Sequence, residues 1–106
     1  MKNYGIELLP EAQKDIAETL EYITATLCAP AAALNLYNAL LAEFQRLKEF
    51  PLSEKELQAT DVPLKFSYRW KRVENYLLFY TIDEQSEQVT VMRILYGSSN
   101  YLSILK

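Results

Sequence analysis

Four of the eleven basic side chains fall within eight residues, which makes residues 65–72 the main candidate for charge-based chemistry. The run KFSYRWKR holds Lys65, Arg69, Lys71 and Arg72, with no acidic residue among them. Clustered cations bind phosphate groups through charge-assisted hydrogen bonds, so a polyanion is one natural ligand of such a patch. The same pattern also suits an edge strand that its charges protect from aggregation. The sequence leaves both interpretations open.

Composition narrows the chemistry that these cations could support. The chain contains no histidine, which excludes histidine triads, histidine general bases and most zinc sites. Residues 1–62 carry five basic and ten acidic side chains, net −5, whereas residues 63–106 carry six and four, net +2. An acidic protein is a poor non-specific binder of nucleic acid. Any contact with a polyanion should therefore be local to the 65–72 run. We expect no metal and no cofactor.

The length and the apolar content predict one globular domain spanning residues 1–106. Half of the residues are hydrophobic, and 106 residues suffice to bury a core. No apolar run reaches the roughly 18 residues that a membrane span requires, and the N-terminus has no signal-peptide pattern, so we expect a cytoplasmic protein. The single cysteine, Cys28, lies in an apolar helical context and is predicted to be a small buried residue.

Two neighbouring strands must position the basic run. Residues 73–82 and 88–96 are rich in β-branched and aromatic side chains, and residues 83–87 between them are polar, which predicts an antiparallel hairpin. Apolar side chains occupy both alternating positions, so both sheet faces need a cover. One face should carry helices, and the other needs a further cover or a partner. Arg93, on the predicted face of Val89, Val91 and Leu95, is interpreted as a structural ion-pair anchor.

The remaining elements predict an α+β fold. A first strand over residues 4–9 precedes helices over about 10–27 and 31–49, and a turn at 61–63 leads into a third strand from Leu64 to Tyr68 or Arg69. Residues 98–106 could form a short C-terminal helix. The result is a four-stranded, mostly antiparallel sheet packed on an N-terminal helical hairpin. The predicted contacts come from apolar residues at helical spacing: Ile16, Leu20, Ile23, Leu40 and Phe44.

Three segments in this order resemble the RelE/ParE superfamily of bacterial type II toxins. They are residues 9–16, LPEAQKDI; residues 44–51, FQRLKEFP; and the strand pair, with Tyr68-Arg69, residues 73–83 and residues 91–97. The resemblance covers nearly the whole chain and implies a toxin held by an antitoxin encoded beside it. Such toxins take part in plasmid stabilisation, and their antitoxins lay extended or helical segments over the sheet and helices.

The resemblance implies two active classes of toxin. One branch of the superfamily cuts mRNA on the ribosome, and another inhibits DNA gyrase. We expect ribosome-dependent mRNA cleavage, with gyrase inhibition or an attenuated toxin that only binds its antitoxin as alternatives. Whether the chain is an enzyme stays open at this point, because Ser98-Ser99 stand where many relatives carry a basic pair. A serine hydroxyl cannot supply the positive charge that stabilises a phosphorane.

Site residues follow from the same resemblance. Arg72 matches a phosphate-binding arginine of the RNA-cleaving branch, and Lys65, Arg69 and Lys71 are candidates for the same role. Tyr101 would transfer a proton or stack on RNA. The predicted sets are catalytic (Arg72, Tyr101, Lys65, Arg69), RNA-binding (Lys71, Arg72) and antitoxin-binding (Trp70, Tyr76, Tyr80). The three aromatic residues could equally be packing residues of the sheet.

Overall fold

The computed structural model describes residues 3–57 and 64–105, and its elements follow the predicted order. They are β1 (Gly5–Leu8), α1 (Pro10–Glu21), a π-helical segment (Tyr22–Thr26), α2 (Pro30–Glu49), β2 (Arg69–Val73), β3 (Tyr76–Asp83), β4 (Gln88–Tyr96) and α3 (Tyr101–Leu105). The predicted α+β class and the short C-terminal helix are confirmed. The turn predicted at residues 61–63 lies outside the described residues.

The four strands form one sheet in the order β1-β4-β3-β2. β1 pairs with β4 in parallel, and the other two pairings are antiparallel, so the sheet is mostly antiparallel as predicted. Because β3 and β4 lie in the centre, they carry apolar residues on both faces. β2, which contains half of the basic run, lies at one edge.

The first sheet face packs on α1 and α2 through the predicted core. Ile23 and Leu40 are buried there, and Ile16, Leu20 and Phe44 pack against it in part. Both helices begin at a proline, where the missing N–H would have no helical partner. Their apolar residues recur at steps of three and four, which aligns them along the side that faces the sheet.

A matched pair of substitutions on α2 tests this packing. Leu40 is 2% exposed in the core, whereas its neighbour Leu41 is 46% exposed. Leu40→Ala should lower the free energy of unfolding by about 2–5 kcal/mol, because it removes buried methyl groups and leaves a cavity. Leu41→Ala should change it by less than about 0.5 kcal/mol. Urea denaturation of both variants measures the difference, and equal losses would show that the packing side is misassigned.

The link between the two helices differs from the sequence interpretation. α1 continues as the π-helical segment, and Cys28 then takes a φ of 53° before α2 begins. Cys28 is exposed at this left-handed turn, and its thiol donates to the Ala25 carbonyl at 3.6 Å. The prediction of a buried cysteine is therefore wrong, because the turn interrupts the helical periodicity from which it was derived.

The third strand lies later in the chain than predicted. It runs over Arg69–Val73 instead of starting at Leu64, and Val73 belongs to it instead of opening the next strand. Glu74 and Asn75 form the turn into β3, with Glu74 at a φ of 54°. Tight hairpin turns with positive φ usually carry Gly, Asn or Asp, so a glutamate there gave no turn signal. Because of this shift, Trp70, Lys71 and Arg72 lie within a strand.

The chain covers the centre of the second sheet face itself. Leu77, Phe79, Met92 and Leu95 are buried there with Tyr68 and Leu105, and Leu9, Leu57, Leu64 and Tyr101 pack around them. The Tyr68 hydroxyl donates to the Leu105 carbonyl at 3.4 Å, which ties α3 to the strand edge. Of the two alternatives that the sequence left open, a cover or a partner, the chain supplies the cover for the middle of this face through α3 and the segment before β2.

A β-bulge in β4 changes which residues share a face. Phe79 pairs with Arg93 while the adjacent Tyr80 pairs with Val91, so Met92 is the extra residue. Val89 and Val91 consequently pack on the helix side, but Leu95 packs on the other side with Met92. The predicted shared face of Val89, Val91, Arg93 and Leu95 is therefore wrong beyond the bulge.

Tyr80 gives the core a measurable pH dependence. It is fully buried, its hydroxyl donates to the Pro51 carbonyl at 3.1 Å, and burial raises its pKa to about 12. The fold thus disfavours the phenolate, so stability is full below pH 10 and falls as the pH rises through about 12, by about 2–3 kcal/mol. Tyr80→Phe should be less stable at pH 8 but lose less between pH 10 and 12. Parallel pH profiles would contradict this.

Candidate functional site

Strand alternation divides the basic run between the two faces of the sheet. Directly paired residues share a face, and Trp70 and Arg72 pair with Phe79 and Leu77 of the second face. Arg69 and Lys71 pair with Tyr80 and Leu78, which belong to the core on the helix side. Residues that are adjacent in sequence therefore present their charges to opposite sides.

The two cations on the helix side are bound by acidic residues from the segment after α2. Arg69 donates to the Glu54 carbonyl, and its guanidinium lies 3.9 Å from the Glu56 carboxylate. Lys71 lies 3.6 Å from the Glu54 carboxylate, which Arg46 also binds at 2.8 Å. This network fixes the segment after α2 against β2, which is a structural role for Arg69 and Lys71.

Lys65 lies apart from both sets. It is exposed, and its ammonium group stands 5.9 Å from the centre of the Phe66 ring. The structure therefore does not bring together the four cations that the sequence analysis grouped. Arg72 is the one of them that lies in a strand, faces the second side of the sheet and has no acidic partner within residues 3–57 and 64–105.

Arg72 lines a small cleft at the end of the sheet, here called the Arg72 cleft. Its volume is about 270 Å³, and its other lining residues are Asn75, Tyr96, Gly97 and Ser98. The Gly97 N–H donates to the Asn75 carbonyl at 2.9 Å, which holds the end of β4 against the β2–β3 turn. A β-carbon at Gly97 would lie 3.1 Å from that carbonyl oxygen, so the glycine permits the close approach.

A second cleft, the aromatic cleft, lies beside it on the same face. It has a volume of about 320 Å³ and is lined by Trp70, Leu77, Phe79 and Tyr101 with the segment Lys55–Leu57. The Tyr101 ring lies 5.4 Å from the Phe79 ring, and Trp70 is 36% exposed. Because Arg72 pairs with Leu77, the two clefts adjoin. Together they offer one free guanidinium next to an apolar aromatic surface.

The two tyrosines predicted to bind the antitoxin, Tyr76 and Tyr80, lie on the helix side. Tyr80 is fully buried, so it offers no side-chain surface to a partner, and we do not retain it among the proposed antitoxin-binding residues. Tyr76 is partly buried, and its ring meets the Tyr96 ring edge-on at 5.5 Å. Tyr96, Asn75 and Gly97 were missed as site residues; the sequence signal for them was the Gly97 motif that ends β4.

Arg93 is the structural ion-pair anchor that the sequence predicted. Its guanidinium donates to both Asp15 carboxylate oxygens at 2.8 and 3.0 Å, and these hydrogen bonds raise its pKa. The same carboxylate accepts the Ile94 N–H at 3.0 Å. Asp15 therefore fixes α1 to β4 just beyond the end of β1, and it carries no role in the clefts of the second face.

Two further properties concern the described residues alone. No helix among them has both the length and the apolar composition that a bilayer span requires. Across 3–57 and 64–105, no group of three or more cysteine, aspartate or glutamate side chains is placed to hold a metal ion.

Comparison with solved structures shows a shared fold. The chain superposes on the toxin–antitoxin complex RelBE2 from Mycobacterium tuberculosis with a TM-score of 0.59 and 20% identity, covering 89% of this chain and 98% of that one. For the chromosomal ParDE system of P. aeruginosa the values are 0.66 and 14%, with 88% and 95% covered. For the archaeal RelE–RelB complex from Pyrococcus horikoshii they are 0.63 and 14%, with 91% and 97% covered.

Sequence comparison identifies the family. No curated protein matches the chain. The model of a family described as the ParE toxin of the type II toxin–antitoxin system parDE matches residues 6–101, a range that contains all the lining residues of both clefts of the second face. With nine-tenths of the sequence matched and the fold shared with solved toxins, the chain belongs to the ParE toxin family of type II toxin–antitoxin systems.

Proposed function

We propose that this toxin acts by binding its target, with DNA gyrase as that target, and that it does not cut mRNA. The division of the basic run supports this proposal most. Cleavage of RNA needs a base, an acid and several cations around one phosphate. Arg69 and Lys71 are bound to Glu54 and Glu56, and Arg72 lies among neutral neighbours such as Ser98. One free guanidinium beside an aromatic cleft suits recognition better than cleavage.

Ribosome-dependent mRNA cleavage remains the second candidate because Arg72 and Tyr101 line adjoining clefts on one face. A phosphate at Arg72 with a base stacked on Trp70 or Tyr101 would use both clefts. The proton transfers would then fall to Tyr101 alone. Both candidate targets are in the cytoplasm, where we infer that the protein acts.

The antitoxin is the expected partner, and the helix layer offers it a surface. Leu34, Tyr37 and Leu41 are 58%, 44% and 46% exposed and lie along one side of α2. Residues 30–42 of that helix contain no charged side chain. An exposed apolar surface of this kind favours a covering protein segment over solvent. The solved relatives include complexes of toxin with antitoxin. Trp70 and Tyr76 are the further antitoxin contacts that we propose.

Expression in bacterial cells tests the proposal. Induction of the chain alone should stop growth, and co-expression of the adjacent gene should restore it. Pulse labelling should show that DNA synthesis falls before protein synthesis, because gyrase inhibition blocks replication first. An earlier fall in protein synthesis would favour mRNA cleavage. Unimpaired growth at confirmed expression would contradict toxicity altogether.

A further inference from the structure

A third cleft, the tyrosine cleft, opens between the C-terminal end of α1 and the end of the sheet. Its volume is about 550 Å³, larger than either cleft of the second face. Tyr22, Tyr76, Tyr96, Leu27 and Glu18 line it. Neither the gyrase proposal nor the mRNA alternative uses this cleft, because Arg72, Trp70 and Tyr101 lie elsewhere.

Three large apolar side chains of the cleft are exposed. Tyr22, Leu27 and Tyr96 are 47%, 57% and 52% exposed, and all three line the same space. Tyr22 opens the π-helical segment, and Leu27 follows it, so the change from α-helical to π-helical geometry places both at the cleft. Such segments occur frequently at functional sites. Contiguous exposed aromatic surface of this kind is typical of an interaction site.

Charge identifies the chemistry that would fill it. The Tyr76 and Tyr96 rings meet edge-on in the cleft, with 5.5 Å between their centres. Burial raises the pKa of Tyr76, so its phenol stays neutral. Glu18 on the rim has a side chain that is 65% exposed. Its ion pair with Lys14, at 3.8 Å, is a solvated surface pair that holds the carboxylate only weakly, since Lys14 is 75% exposed. Asp15 is already engaged by Arg93. Glu18 is therefore the carboxylate of the cleft that can exchange its solvated partner for another cation, and the electron-rich rings beside it favour a cation over an anion.

We propose that the tyrosine cleft binds an arginine or lysine side chain carried on an apolar segment of the antitoxin. The cationic group would lie against the rings of Tyr76 and Tyr96 near Glu18, and apolar neighbours in the segment would pack on Leu27. This inference rests on the proposed function, because it takes the antitoxin as the partner. Tyr96 also lines the Arg72 cleft, so a segment seated here would lie directly beside the target-binding surface.

Binding of the product of the adjacent gene to the full chain, measured by calorimetry at two salt concentrations, tests the proposal. Glu18→Lys and Tyr96→Ala should each weaken the complex about 10- to 50-fold, since the first opposes the cation and the second removes its ring. Tyr96→Phe keeps the ring and should stay within about threefold of the wild type. Glu84→Lys, an exposed charge reversal in the distant β3–β4 turn, is the matched control and should have little effect.

Substitution of each basic residue of the antitoxin by alanine then locates the cation. One of these antitoxin substitutions should weaken binding to the wild-type toxin but not to the Tyr96→Ala toxin, because the two substituted residues would contact each other. Wild-type affinity in both Glu18→Lys and Tyr96→Ala would overturn the proposal. So would a change in oligomeric state without a change in antitoxin affinity, because a second copy would then occupy the cleft. Failure of the wild-type chain to form any complex would contradict the proposed function itself.

Discussion

Arg72→Ala should abolish growth arrest while leaving the fold and the antitoxin complex intact. Arg72 is exposed, faces the second side of the sheet and has no acidic partner within the ranges 3–57 and 64–105, so its removal costs the fold little. Truncation of an arginine at the centre of an interface commonly costs about 2–4 kcal/mol, which corresponds to a 30- to 1,000-fold loss of target affinity. Growth after induction and affinity for purified gyrase measure this loss.

Lys71→Ala separates this prediction from a general effect of positive charge. Lys71 directly precedes Arg72 on β2 but faces the helix side, where it lies near Glu54. Its replacement should leave toxicity within about threefold, because surface ion pairs contribute little to stability and this lysine does not reach the Arg72 cleft. Equal loss of toxicity in both variants would show that the basic run acts as one electrostatic patch. A large drop in melting temperature in Arg72→Ala would also contradict the assignment.

Asp15→Ala should cause a larger loss of stability than Arg72→Ala or Lys71→Ala. The Asp15 and Arg93 side chains are only 11% and 29% exposed, and the carboxylate also accepts the Ile94 N–H. Removal of one partner leaves a poorly hydrated guanidinium and an unpaired backbone donor, which together cost about 3–4 kcal/mol. Asp15→Asn keeps an acceptor for Ile94 and should cost about half as much. Urea denaturation measures the loss of unfolding free energy in both variants, and the dependence of that free energy on urea concentration should stay unchanged. A loss below about 1 kcal/mol in Asp15→Ala would contradict the structural role of the ion pair.

The sequence predicted the layers of this fold well, because those depend on periodicity. Ile16 and Leu20 recur at helical spacing on α1, and both pack against the core. Leu40 and Phe44 recur in the same way on α2 and lie in or against the same core. β3 and β4 carry apolar residues at both alternating positions, and they lie at the centre of the sheet. The role of Arg93 was also predictable, since a lone charge in an apolar strand requires a partner.

The candidate site was less predictable, because it depends on which face each residue takes. A shift of one residue moves a side chain to the opposite face, and the positive-φ position of the β2–β3 turn is held by Glu74, which is not a usual residue there. The bulge at Met92 changes the alternation once more. Neither feature leaves a periodic signal. The ion pair between Lys71 and Glu54 joins segments that are distant in sequence. The sequence therefore could not show that some cations of the basic run already have an acidic partner.

The predicted antitoxin contacts show the same limit. Tyr76 and Tyr80 are both tyrosines of β3, four residues apart on one face, yet Tyr80 is fully buried and Tyr76 reaches the tyrosine cleft. The difference arises because α1 and α2 cover the middle of β3 and leave its first residue at the margin. Residue type and position in the strand do not show how far the helices cover β3, so the different exposure of the two tyrosines could not be predicted.

Assay of the purified toxin on two targets side by side tests the central claim most directly. The same preparation is added to gyrase with relaxed plasmid and to translating ribosomes with a defined mRNA, and Arg72→Ala serves as the inactive control in both. We predict that supercoiling is inhibited, that the mRNA stays intact, and that the variant loses the inhibition. Cleavage of the mRNA with normal supercoiling would contradict the claim and establish the enzyme instead.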